Sequence, residues 1–155
     1  MSDYSPVRQR LDSGGLWEDT YGYSRAVRTG DRILVSGSTA VRDGTVQHVG
    51  DAGAQMRLAL DNVLDAVSAL GGSPGDVIST RMYVVNRADC DVVGRMHAER
   101  FADVRPAATM VLVAGLIDEK MLVEVEVEAR VGSAKPYGRR GPYDHRPPDD
   151  RIRLS

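Results

Sequence analysis

The sequence predicts one α+β domain, a mostly antiparallel or mixed sheet built in the order β-β-α-β-α-β-β with two helices covering one face. Two amphipathic stretches with helical spacing, at 51–70 and 90–101, supply the helices. The third observation is the run at 122–131, where Val123, Val125 and Val127 alternate with Glu124, Glu126 and Glu128, so that one strand face is apolar and the other acidic.

Taken in order, residues 1–19 are polar and contain Gly14-Gly15, and they read as an N-terminal arm ahead of a domain at 20–132. Two strands, 24–29 and 32–37, flank Gly30-Asp31, a pair suited to a tight hairpin because glycine accepts positive φ. In the second strand Ile33 and Val35 share a face opposite Leu34 and Ser36. The first helix places Met56, Leu60, Val63, Leu64, Val67 and Leu70 on one stripe, with Asp51 as N-cap and Gly71-Gly72 as its stop. A strand at 76–85 puts Arg81 and Tyr83 on one face and Thr80 and Met82 on the other. The second helix uses Val92, Val93, Met96 and Phe101. Strands at 109–114 and 122–131 follow, joined by a turn at 115–120. Residues 133–155 hold four of the seven prolines and read as a flexible, solvated tail.

At 155 residues the chain is long enough to bury a core without disulfides or a structural metal. Aromatic residues make up only 5% of it, so that core is aliphatic. Its 20 basic and 22 acidic residues leave no basic footprint for nucleic acid or an anionic membrane. A single cysteine, Cys90, rules out an intrachain disulfide, and no apolar run approaches the roughly 20 residues that span a bilayer. A soluble cytoplasmic protein is expected.

The three histidines, His48, His97 and His145, show no ligand spacing, and neither Gly-Gly pair has the context of a phosphate-binding loop, so no metal or cofactor is expected. Cys90 has no base beside it. Two charged residues stand out. Glu124 opens its strand beside the 115–120 turn, where a carboxylate either activates water in a crevice or is simply an exposed strand residue. Arg81, in mid-strand, either pairs with a glutamate on the neighbouring strand or holds an anionic ligand. The sheet face carrying Arg81, Tyr83 and the glutamates has no helix to cover it, which favours packing against another copy of the chain.

The segments YSRAV (23–27), ILVSG (33–37), Gln55 with LDNVL (60–64), DVISTRMYV (76–84), RPAATMV (105–111) and LVEVEVEA (122–129) resemble, in collinear order over about residues 20–131, the Rid/YjgF family of reactive intermediate deaminases, formerly called endoribonuclease L-PSP. The resemblance implies a chorismate-mutase-like fold and a homotrimer with a barrel-like core and small-molecule clefts between subunits. It also implies cofactor-free hydrolysis of enamine or imine intermediates, in which an arginine grips the substrate carboxylate and a glutamate positions water. The glutamate corresponds to Glu124, and the tyrosine and serine of the cleft to Tyr23 and Ser36. The arginine does not carry over: Pro106-Ala107 is followed by Ala108, and Arg105 stands three positions earlier with opposite strand parity. Gly94 occupies the place of a helix asparagine.

Without that bidentate arginine, efficient deamination of simple 2-imino acids is not expected. Arg81 is the candidate to bind the anionic group of a different or larger acid. The readings carried forward are a Rid-type hydrolase acting on a small anionic metabolite and, as its rival, a non-enzymatic ligand-binding or regulatory trimer. Ribonuclease activity rests on the old family name alone.

Overall fold

The computed structural model describes residues 7–134. Its six-stranded mixed sheet has the order β1-β2-β3-β8-β6-β7, formed by β1 (Gln9–Leu11), β2 (Ala26–Thr29), β3 (Arg32–Ser38), β6 (Val77–Val84), β7 (Ala107–Leu112) and β8 (Val123–Arg130). A separate two-stranded ribbon pairs β4 (Val41–Arg42) with β5 (Thr45–Val46). All pairings in the large sheet are antiparallel except β6 with β7, the two strands joined through the helix α3 (Cys90–Phe101). A parallel pair needs a long crossover, and α3 is that crossover.

α2 (Ala52–Ala69) and α3 lie on one face of the sheet. Met56, Leu60, Val63 and Val67 of α2 and Val93 of α3 are fully buried with Val123 and Val125 of β8, Val84 of β6 and Ile33 of β3. Asp51 caps α2 by accepting a hydrogen bond from the Ala54 N–H at 3.0 Å. The helix stops where Gly71 takes φ 87°, a left-handed conformation that favours glycine. The β2–β3 hairpin turns through Gly30 at φ 60° and Asp31, with Thr29 and Arg32 facing across it.

The expected elements are present with shifted ends. α3 has the anticipated bounds, whereas β7 begins at Ala107, two residues earlier than its apolar run suggested. Alignment with β6 fixes this, since Ala107 pairs with Ser79 and Ala108 with Thr80. The region read as an arm contains β1, which extends the sheet beyond β2, and α1 (Leu16–Tyr21). Glu18 secures that corner: its carboxylate accepts from the Ser13 N–H and hydroxyl, and Trp17 stacks on Tyr21 with ring centroids 5.4 Å apart. His145 and the tail beyond residue 134 lie outside the described residues.

Two bulges shape the sheet. β3 has one extra residue between Val35 and Ser38 relative to β8, and β6 has one between Val77 and Ser79. The first brings Gly37 against Glu124 near the start of β8 and turns the Ser38 side chain back into the core. Fully buried Gln55 ties α2 to the loop that enters β8. Its Nε2 donates to the carbonyls of His48 and Lys120 (3.2 and 2.9 Å), and its Oε1 accepts from the Leu122 N–H at 2.9 Å.

The opposite sheet face carries no helix among the described residues. Leu34 and Val111 are exposed there beside Arg81, Tyr83 and the three glutamates of β8.

Candidate functional site

Glu124 lies near the start of β8, on the open face, with Tyr83 as its cross-strand partner. It packs over the β3 bulge so closely that a Cβ on Gly37 would collide with its carboxylate. A side chain at this position would displace the Glu124 carboxylate. Half-burial raises the Glu124 pKa; Arg25 acts against the rise and Glu126 reinforces it. A carboxylate shifted upward in this way is a better base toward neutral pH than a fully solvated one.

Arg25 is the residue that the sequence reading missed as part of the site. It precedes β2, and its Nη1 and Nη2 donate to Ser38 Oγ (3.1 Å) and the Gly37 carbonyl (2.9 Å), which clamps the bulge from behind. Burial lowers its pKa, while Tyr23, Glu18 and Glu124 favour its charged form. In the sequence it reads as one more strand arginine. Only the bulge, visible once β3 is paired with β8, brings Gly37 and Ser38 to it.

The other expected site residues divide. Tyr23 is 43% exposed in the segment between α1 and β2, where its N–H donates to the Glu18 carbonyl at 3.1 Å. Ser36 is half-buried within the bulged stretch of β3 between Val35 and Ser38, and its hydroxyl donates to the Ser24 carbonyl at 2.7 Å. Both bond to residues on the Arg25 side of the β3 bulge, Glu18 and Ser24. Arg81 lines a groove on the open face together with Ser36 and Glu126, and its Nη1 donates to Glu126, its cross-strand partner, at 3.1 Å. The Tyr83 hydroxyl donates to the same Glu126 oxygen at 2.7 Å, and that bond raises the Tyr83 pKa.

Ala108 is exposed on the edge strand β7. Arg105 does not take its place. It adopts φ 52° in the turn before β7, and its Nε donates back to the Ala102 carbonyl at the end of α3, 3.2 Å away. Gly94 lies mid-helix in α3, where a Cβ would make an ordinary 3.8 Å contact with Met110 Cε.

Among the described residues no group of three His, Cys, Asp or Glu side chains is arranged to hold a metal ion. His97 bonds Thr80 Oγ1 through Nε2 at 2.8 Å, and burial lowers its pKa. No described helix is long and apolar enough to cross a membrane.

A mixed sheet with two helices on one face, and a carboxylate laid over a glycine bulge at its open end, define a class that comparison with known proteins makes specific. Residues 18–131 match the endoribonuclease L-PSP family. The chain is 40% identical over 129 residues to SCO2049 of Streptomyces coelicolor, an uncharacterized protein, with 83% of this chain and 96% of that one covered. It is 34% identical over 110 residues to the 3-aminoacrylate deaminase RutC of Acinetobacter baylyi, covering 70% of this chain and 86% of RutC. Among solved structures, Rv2704 of Mycobacterium tuberculosis, a member of the YjgF/YER057c/UK114 family, superposes with a TM-score of 0.73 at 38% identity, over 81% of this chain and all of that one. The chain belongs to the Rid/YjgF family.

Proposed function

We propose that this protein is a cofactor-independent hydrolase of a small enamine or imine acid, working in clefts between the subunits of a homotrimer. The observation that carries the reading is Glu124, a half-buried carboxylate of raised pKa held over Gly37 on a rigid strand. In the proposed reaction Glu124 takes a proton from water as the oxygen attacks the imine carbon. That proton passes to the substrate nitrogen to give a carbinolamine (an enamine first taking a proton on carbon to become the imine); the carbinolamine's hydroxyl proton then moves to the nitrogen as the C–N bond breaks, giving a carbonyl product and ammonia. Tyr23 and Ser36 form the cleft wall. Kinship to RutC, named as a 3-aminoacrylate deaminase, supports this reaction class. The half-apolar open sheet face supports assembly through that face.

Two arginine positions set the substrate range. Ala108 leaves the cleft without the family's carboxylate-gripping side chain, so the reading assigns slow turnover to simple 2-imino acids. Arg81 is assigned the anionic group of a larger acid that reaches the open face. Its 3.1 Å pair with Glu126 favours the competing reading, in which it only joins β6 to β8. Arg81→Ala separates the two: ligand binding weakens under the first and is unchanged under the second.

The test is coupled turnover of imines and enamines generated in situ, with wild type, Glu124→Gln and Ala108→Arg. Wild type should act on part of the panel, Glu124→Gln should lose about 100-fold or more, and Ala108→Arg should gain activity on simple 2-imino acids. If wild type and Glu124→Gln are equally silent while small acids still raise the melting temperature, the protein is a ligand-binding trimer and not an enzyme.

A further inference from the structure

We propose that Arg25 is a positioning residue for Glu124: it braces the Gly37 and Ser38 bulge against that carboxylate and fixes a positive charge near it. Gly37 is the link between the two. Its carbonyl accepts from Arg25 Nη2 at 2.9 Å, and a Cβ on it would collide with the Glu124 carboxylate. The other arm of the guanidinium, Nη1, donates to Ser38 Oγ at 3.1 Å, and that hydroxyl donates to the Ser36 carbonyl. The planar fork thus ties down two successive residues where β3 runs out of step with β8.

Bracing alone does not account for a cation here. Arg25 is half-buried, both its partners are neutral, and its buried Nε–H has no partner among the described residues. Desolvating a guanidinium against neutral acceptors costs stability, which an uncharged donor at the same place would spare. None of the ion pairs among the described residues includes it. Glu18 is taken by Ser13, and Asp12 and Asp65, which border the same cavity as Arg25, lie 3.2 Å from Arg10 and 3.9 Å from Arg42. Burial works against the Arg25 charge, while Tyr23, Glu18 and Glu124 support it through space.

The surroundings of Glu124 give that charge a use. Burial disfavours ionised Glu124, Arg25 opposes this, and Glu126, two residues along the same strand face, reinforces it. On β6, the cross-strand partner Tyr83 donates its hydroxyl to Glu126, and Arg81 pairs with Glu126 as well. Arg25 is therefore the cation among the described residues that holds Glu124 toward its carboxylate form. A general base needs partial desolvation to be basic and enough ionised fraction to accept a proton. Without Arg25 the same burial would keep Glu124 protonated over a wider pH range, unable to take a proton from water. This catalytic consequence rests on the hydrolytic reading; the hold of Arg25 on Glu124 does not.

The test is 13C NMR titration of the full-length protein labelled at the glutamate side-chain carboxyl, with the Glu124 signal identified by its absence in Glu124→Gln. Arg25→Gln, which keeps an amide donor for the bulge, should move the Glu124 midpoint upward by about half a pH unit or more. Arg25→Met, which keeps the aliphatic stem, should do the same and serves if the amide variant does not fold. Arg25→Lys retains the cation and should titrate close to wild type. Under the hydrolytic reading, the acid limb of the pH–rate profile moves with the NMR midpoint. A midpoint left in place by the neutral variants, an equal displacement in Arg25→Lys, or failure of both neutral variants to fold would overturn the proposal. A displaced midpoint in a protein that turns nothing over would overturn the hydrolytic reading alone.

Discussion

At the scale of single residues, the proposed hydrolysis makes Glu124 the point where stability and function oppose each other. Its folded pKa is raised, so the fold is less stable when this group is ionised than when it is protonated. Glu124→Gln should therefore raise the melting temperature at pH 7, by about 1–3 °C. The gain should fade as the pH falls through the raised pKa toward the ordinary carboxylate value of about 4.3. Thermal melts of both proteins from pH 4 to 8 check this; a gain independent of pH would mean that burial does not disfavour the charge. Glu124 was legible from its place in the Val-Glu alternation. Arg25 was not, because its partners are two backbone-distorted residues whose position depends on β3 pairing out of step with β8. Arg81 was legible as a mid-strand cation in need of a partner, and the register with β8 supplies Glu126.

At the scale of elements, the site depends on how β8 is launched. Gln55 of α2 holds Leu122 and Lys120 on either side of Met121, just before the strand that carries Glu124. Gln55→Leu leaves one buried N–H and two carbonyls without partners, which should cost about 3 kcal/mol, measurable by urea unfolding. A cost below about 1 kcal/mol would mean that other groups replace those bonds. Gly94 behaves oppositely. No crowding requires a glycine in the middle of α3, so Gly94→Ala should stabilise the fold by about 0.5–1 kcal/mol. Loss of stability on the same unfolding curve would show that Met110 resists even a methyl group. α2 and α3 were readable from the sequence because their apolar stripes repeat with the helical period over several turns. β1 and α1 have too few residues for a period to emerge; they exist through pairing with β2 and through the capture of Ser13 by Glu18. The edge strand β7 was shifted because its alanines carry no strand signal and only alignment with β6 sets its start.

At the scale of the whole molecule, the open sheet face is the dominant feature that the described residues leave uncovered. It combines exposed Leu34 and Val111 with an acidic row partly neutralised by Arg32 on Glu128 and Arg81 on Glu126. Such a surface suits a neighbour of the same kind, and light scattering should give about three times the chain mass in dilute buffer. A monomer would remove the inter-subunit cleft from the account. The central claim, that Glu124 activates water for an enamine or imine acid, is tested most directly by ammonia release from such substrates generated in situ, comparing wild type with Glu124→Gln. Wild type should release ammonia above the uncatalysed rate, and the variant should lose about 100-fold or more. Equal rates for the two proteins would contradict it.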